Sequence, residues 1–243
     1  MNITANNQTL PLLYEDSDVI AVAKPPQMLS QGAESGEASI LDYLNAYAAG
    51  SWTAYPVHRL DRGTGGAMVF AKNKQAAAAL SALAAGNGMQ KTYLACVHGT
   101  LTGSATLEHD LYFDRKRNKS FPVKNSTRRG VKHASLSYEV LANGSCPAGE
   151  ISLVKVRLHT GRTHQIRVQM AAIGHPLLGD GKYGGKAGKC SCALWSHSIV
   201  FDAEAIAATQ LKNSAFAQAA QNIALLTSLP EGYPWDMFDT SVI

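Results

Sequence analysis

The sequence predicts an α+β fold: a mixed, mainly antiparallel sheet with flanking helices and loops. Three observations carry that reading. Short apolar segments bounded by turn residues recur along the chain, they outnumber the helical segments, and most follow one another without a helical crossover. No internal repeat and no linker of boundary quality interrupts them, so residues 1–243 are expected to form one domain, with 202–243 as a helical tail packed on it.

Taken in order, Leu12 to Glu15 and Asp18 to Ala23 read as two strands around a turn at Asp16 and Ser17, closed by Lys24, Pro25 and Pro26. Gly32 to Gly36 reads as loop, and Ile40 to Ala48 as a short helix. Gly63, Gly65 and Gly66 then exclude a regular helix before the apolar strand Ala67 to Ala71. An Ala-rich helix, Lys74 to Ala85, stops at Gly86, and Lys91 to His98 resumes as strand. Arg115 to Lys132 reads as a basic loop. Ser135 to Leu141 and Ile151 to His159 are expected to pair as a hairpin across the turn-rich Asn143 to Gly149. Thr163 to Ile173 reads as a helix stopped by Gly174. Its Ile166, Met170 and Ile173 would face the core, leaving His164 and Arg167 together on another face. Ala193 to Phe201 is the last strand before the tail.

Composition excludes several classes. The chain has 243 residues and 46% hydrophobic content, enough to bury a sizeable core. Met1 to Leu12 carries no Lys or Arg and no apolar stretch of signal-peptide length, and the longest such run, Ala76 to Ala85, is too short to span a bilayer. A cytoplasmic location and no membrane association are expected. Cys96, Cys146, Cys190 and Cys192 make neither a disulfide framework nor a zinc pattern, so reduced thiols and no metal are expected.

The net charge of +4 is unevenly placed. Eight of the 22 Lys and Arg residues fall between positions 115 and 132, with no Asp or Glu among them: Arg115, Lys116, Arg117, Lys119, Lys124, Arg128, Arg129 and Lys132. Such a run is either a solvated surface or a contact for a polyanion; its concentration in one segment fits phosphate binding better than a general solubility device.

Asp61 is the residue most suited to chemistry. It lies between Leu60 and Arg62 in a glycine-rich turn that feeds directly into a buried strand, and Arg59 is close in sequence. Flanking guanidiniums favour the charged form of a carboxylate whose ordinary pKa is about 3.9, leaving it available as nucleophile or base. A structural Arg–Asp pair tightening the loop is the alternative on these residues alone.

Four ordered blocks resemble the RluA-type RNA pseudouridine synthase family. Leu12-Leu13-Tyr14-Glu15-Asp16 through Lys24-Pro25 is similar to its opening strand pair, and His58-Arg59-Leu60-Asp61 with Thr64 and Gly66 to its catalytic loop. Lys91-Thr92-Tyr93 is similar to its tyrosine motif. Gly161-Arg162-Thr163-His164-Gln165-Ile166-Arg167 and Gly174-His175-Pro176-Leu177-Leu178-Gly179-Asp180 resemble its helix and following turn. The resemblance implies the catalytic-domain fold of that family and an isomerase that needs no cofactor. Asp61 would be the catalytic carboxylate, Tyr93 would lie against the uracil and accept a proton late in the reaction, and Arg167 would pair with Asp61. Taken apart from its motif, Tyr93 would read as a core aromatic.

A structured RNA, ribosomal or transfer, would be the partner of a monomeric enzyme. A uridine inside it must be extruded, and Arg59 resembles the family residue thought to fill the space left behind, a phosphate contact being its other reading. Arg62, Arg162, His164 and the eight basic residues from Arg115 to Lys132 are the further RNA-binding candidates. His58, His164 and His175 are expected to be structural or to touch RNA, because their spacing makes no ligand set. Two departures stand out. Gly65 replaces the usual Ser, and the small N-terminal RNA-binding module of some relatives is not expected here. An RNA-binding protein that keeps this fold without catalysis is the rival reading.

Overall fold

The computed structural model describes residues 2–5, 8–32, 36–124, 127, 129–185, 190–220 and 224–239. The chain folds into two compact units. The first comprises Met1–Lys91 and Ser196–Ser228, the second Thr92–Trp195 and Leu229–Ile243.

In the first unit, β1 (Asn2–Ala5), β2 (Gln8–Glu15), β3 (Val19–Lys24) and β5 (Gly65–Ala71) run side by side, followed by β11 (Leu194–Phe201) from Ser196 onward. β4 (Tyr55–Pro56) pairs with β5 and β12 (Leu225–Leu226) with β11. Every residue of β3 and β5 is buried, as expected of unbroken apolar strands inside a covered sheet. Helix α1 (Ile40–Ala48) begins with a capping box, in which the Ser39 hydroxyl accepts from the Asp42 N–H while the Asp42 carboxylate accepts from the Ser39 N–H. Helix α2 (Lys74–Ala85) is capped by Asn73, whose amide also donates to Asp18 at 2.7 Å and ties the helix to the β2–β3 turn. Leu80 and Leu83 of α2 pack with Val19, Val69, Phe201 and Phe216 in this unit's core. Two short helices, α4 (Ala203–Ala207) and α5 (Ala215–Ala220), complete it.

The second unit is built on β6 (Met89–His98) from Thr92 onward, β10 (Gly149–Leu158), β9 (Val131–Cys146), β7 (Ser104–Asp114) and β8 (Lys119–Val123), in that spatial order. The pairs β10–β6, β10–β9, β7–β9 and β7–β8 are all antiparallel. Helix α3 (Gln165–Ala172) and the 3-10 turn Trp235–Met237 belong to this unit. One core gathers Leu94, Leu153, Trp195, Trp235 and Phe238. A smaller one joins Leu111, Ala134 and Val168.

The α+β architecture matches the sequence expectation, and α1 and α2 have the expected bounds. Three segments differ. Residues 115–132 are not one loop: Arg115 to Asn118 form the turn of the β7–β8 hairpin, Lys119 to Val123 are strand β8, and Val131 and Lys132 already belong to β9. Its high charge conceals this edge strand, which lies against β7 and tolerates Pro122 because a sheet edge needs fewer donors. The β9–β10 hairpin closes with only Pro147 and Ala148 between its strands, since pairing with β10 continues through Asn143 and Ser145. Finally, α3 starts at Gln165, and His164 stands before it with φ +55°, outside the helix.

Gly66 marks a close backbone approach in the first unit. Its φ is +106°, and a Cβ there would lie 2.2 Å from the Ser196 carbonyl oxygen. Gly66→Ala is therefore expected to cost about 3 kcal/mol or more, read as a lowered melting temperature; an unchanged melt would mean that β5 and β11 separate freely.

Candidate active site

The segment around Asp61 runs from β4 into β5 and is fixed at several points within the first unit. Lys24, the last residue of β3, sits opposite Gly66 in the β3–β5 ladder, so the chain leaving β3 and the chain entering β5 are neighbours. The hydroxyl of buried Ser30 donates to the Leu60 carbonyl at 2.7 Å and accepts from the Leu60 N–H at 3.0 Å. The Gln27 N–H donates to the Arg62 carbonyl at 2.8 Å, and the Thr64 N–H closes a turn on the Asp61 carbonyl at 3.0 Å. Asp61 itself is half-buried. Lys24 is fully buried, and its ammonium donates to the carbonyls of Pro25, Met28 and Arg62 at 3.0, 2.7 and 3.4 Å.

Arg59 and Arg62 are exposed, and Arg62 pairs with Glu37 at 2.9 Å on the surface, a contact worth little in water. A buried cation that senses Asp61 is instead Lys24: burial lowers its pKa to about 8, and the charge of Asp61 acts to raise it. His58 is structural. Its Nε2 accepts from the Val69 N–H at 3.0 Å, which places the proton of the neutral ring on Nδ1, a buried atom without a hydrogen-bond partner among the described residues. Burial, and then the nearby charge of Lys91, push its pKa down to about 3. The ring is therefore neutral at physiological pH.

In the second unit Tyr93 is buried on β6 opposite Val156 of β10. Arg167 of α3 makes a two-pronged contact with Asp180, Nε to Oδ2 at 2.7 Å and Nη2 to Oδ1 at 2.8 Å, and its guanidinium lies over the Tyr183 ring at 5.2 Å. Burial would raise the Asp180 pKa, but the hydrogen bonds and charge of Arg167 outweigh it and leave it lowered. Tyr183 is a hub: its hydroxyl accepts from the Ser120 N–H at 2.7 Å and meets His164 Nδ1 at 2.9 Å. The His164 ring is thus packed edge-on to Tyr183 and Phe113 and half-buried. Two glutamines anchor α3. Gln165 bonds Thr160, Arg162 and Ser135, while Gln169 bonds the carbonyls of Leu107 and Ala134.

The basic candidates divide by environment. Lys119 is half-buried, its ammonium over the rings of Tyr183 and Phe121 and bonded to the Lys182 carbonyl. Arg115, Lys116, Arg117, Lys124, Arg129 and Lys132 are exposed; Arg128 lies outside the described residues. Asp114 accepts from the Lys116 and Arg117 N–H groups at 2.9 and 3.1 Å, which shapes the β7–β8 turn. Beside that turn is a cleft of about 620 Å³. Arg115, Lys116, Lys132 and Arg162 line it together with Tyr112 and Phe113. Arg162 is held in place by its Nε, which donates to the His133 carbonyl at 2.8 Å. Cation and aromatic side chains in one concavity suit phosphate and base together. Among the described residues no three His, Cys, Asp or Glu side chains are placed to hold a metal ion, and no helix is long and apolar enough to cross a membrane.

The family model described as RNA pseudouridylate synthase matches residues 18–172. The chain belongs to the RNA pseudouridylate synthase family. It is 35% identical over 181 residues to an uncharacterized RNA pseudouridine synthase, YhcT, of Bacillus subtilis, covering 72% of this chain and 58% of that protein. It is 36% identical over 186 residues to ribosomal large subunit pseudouridine synthase D of Vibrio cholerae, covering 74% of this chain and 55% of that protein. The chain thus spans somewhat over half the length of these relatives. The human RNA pseudouridylate synthase domain containing 1 structure has the same fold, with a TM-score of 0.71 at 23% identity, covering 91% of this chain and 83% of that one. The RluA-type reading of the motifs stands with these relatives.

Sequence reasoning passes over Ser30 and Tyr183 as site residues and cites Lys24 and Asp180 only as parts of motifs. One signal was available: a Lys closing the apolar run Val19 to Ala23 is carried into the interior with its strand.

Asp180→Asn should cost about 3–5 kcal/mol, because it leaves the Arg167 guanidinium partly buried without its carboxylate. The folded Asp180 pKa lies below the unfolded one, so its stabilisation is present above the ordinary aspartate range and lost as pH falls through the folded value. Acid titrations of unfolding should therefore be flatter in the variant; an identical acid limb would refute this role.

Proposed function

We propose that this chain isomerises a uridine in a structured ribosomal or transfer RNA to pseudouridine, as a cytoplasmic monomer, with Asp61 as its catalytic carboxylate. The observation that carries this reading is a half-buried Asp61, in the segment that resembles the family's catalytic loop, whose flanking peptide groups are hydrogen-bonded to buried Lys24 and Ser30. In the reaction the bond from ribose C1′ to N1 breaks, the base turns, and C5 bonds to C1′. C5 then loses its proton and N1 gains one, so no electrons are exchanged. An ionised carboxylate serves either route to this product, attack on C1′ or removal of a proton from the sugar to make a glycal.

Tyr93 and Arg167 take the roles their motifs carry, the first as the late proton acceptor and the second as the cation that keeps Asp61 ionised and oriented. Arg59, exposed next to the catalytic loop, is assigned to the space left by the extruded uridine. The cleft residues Arg115, Lys116, Lys132 and Arg162 take RNA phosphates, with Arg62, Arg117, Lys124 and Arg129 as further contacts at the surface. Lys119 and His164, the remaining RNA-binding candidates, are joined to Tyr183, whose hydroxyl bonds the backbone of Ser120 in the cleft wall.

RNA labelled with tritium at uracil C5, taken from cells lacking the gene, tests the chemistry, because the label is released as pseudouridine forms. Asp61→Asn should bind this RNA and release no tritium above background; release at the wild-type rate would end the proposal, and binding without release by the wild type would favour an RNA-binding protein. Converting Arg115, Lys116, Lys132 and Arg162 to Gln should weaken binding and reduce the slope of log affinity against log salt by about 0.7–0.9 for each phosphate that is no longer neutralised. An unchanged slope would show that the cleft stays clear of the RNA backbone.

A further inference from the structure

The cleft beside the β7–β8 turn holds more than cations. Leu111 and Phe113 lie two residues apart on β7 and so share one face of the sheet. Lys132 of β9 is paired with Leu111, and Ser120 of β8 with Phe113, which puts all four on that face, and all four line the cleft. A second wall is the segment 161–163. It is tied to the sheet by the Ser120 hydroxyl, which donates to the Thr163 carbonyl at 2.6 Å, and by the bond from Arg162 Nε to the His133 carbonyl. The concavity is thus built from fixed elements, which lowers the ordering cost of filling it. The Phe113 ring stands edge-on to His164, with centroids 6.4 Å apart, and is only half-buried. Asp114 is the acid in the lining, and its Oδ1 is engaged by the N–H groups of Lys116 and Arg117.

Cations by themselves serve phosphate; an aromatic ring among them serves a base. We infer that the cleft is a second nucleotide site, which takes one unpaired nucleotide of the RNA with its base packed on Phe113 and its phosphates on Lys132 and Arg162. The inference rests on the RNA reading proposed above and narrows the substrate class. Asp61, Tyr93 and Arg167 are not among the lining residues, so a base held here is additional to the uridine that reacts. A cleft of about 620 Å³ has the size of a small-ligand site, which suits a nucleotide and not a helical stem. Bases within an A-form helix are stacked on one another and present no face to a side chain, whereas a base in a loop, bulge or single strand does. The RNA that fits this chain therefore carries an unpaired nucleotide besides its target, and a continuous duplex leaves the cleft unfilled. Aromatic stacking is tolerant of base identity, so the site selects unpaired structure more than sequence.

The test uses the full chain with hexauridylate and with a hexamer of sugar phosphates that carries no bases. The wild type should bind hexauridylate more tightly. Phe113→Leu keeps an apolar side chain beside His164; it should lose roughly fivefold or more in affinity for hexauridylate and little for the baseless hexamer. Its slope of log affinity against log salt should match the wild type, because no cation is removed. Phe113→Tyr, which keeps a ring face, should restore hexauridylate binding. Equal wild-type affinity for the two hexamers, wild-type binding by Phe113→Leu, or a loss of equal size on both hexamers would overturn the inference. Should Phe113→Leu not fold, photo-crosslinking of the wild type to hexamers containing 4-thiouridine decides: an adduct on residues 111–113 is expected, and adducts only elsewhere would overturn it. Tritium release measured in parallel separates the two ideas. A wild type that releases none removes the proposed function while the hexamers still decide the cleft, whereas release beside a Phe113→Leu variant indifferent to bases removes only the second site.

Discussion

A buried ammonium bonded to three backbone carbonyls ties the chain leaving β3 to the loop that carries Asp61, and the rest of the first unit's loop geometry follows from that tie. A loop of glycines and short turns has little stiffness of its own. Here stiffness is supplied from outside the loop. Lys24 and Ser30 hold the peptide groups on either side of Asp61, and the β3–β5 ladder places Lys24 opposite Gly66, where the loop becomes strand. Gly66 in turn lets β5 approach the Ser196 backbone more closely than a Cβ would permit. The loop is thus fixed at its middle by buried polar groups and at its end by a glycine.

The second unit uses a different arrangement of charge. Arg167 and Asp180 compensate each other in two parallel hydrogen bonds, and Tyr183 lies under the guanidinium while also bonding the β8 backbone and His164. One helix residue is therefore connected to the 180s turn and to the edge hairpin. The two glutamines of α3 satisfy buried carbonyls that an apolar helix face would leave unpaired. Exposed cations around the cleft remain hydrated and are able to exchange water for phosphate at small cost, which a buried pair could not do.

These two uses of charge explain why the basic residues do not form one functional class. Lys24 is buried, and Lys119 and Arg167 are half-buried against Tyr183, whereas Arg115, Lys116 and Lys132 stand in solvent. Proximity in sequence conceals the distinction: Lys119 lies two residues from Arg117, but its strand turns it onto Tyr183.

The α+β class, the bounds of α1 and α2, and the family are all legible in the amino-acid order, because they rest on local signals: apolar periodicity, the stop at Gly86, and four short motifs in fixed order. The same signals brought Asp61, Tyr93 and Arg167 forward as the residues to propose. The partner of each polar group, by contrast, was settled by packing. That Arg62 goes to Glu37, that Arg167 grips Asp180, that His164 leaves the helix to meet Tyr183, and that residues 115–132 include an edge strand all depend on contacts between distant segments. Burial and hydrogen-bond pairing are properties of the packed chain: a lysine reads alike in sequence on the surface or beneath a loop, and only its surroundings tell the two apart.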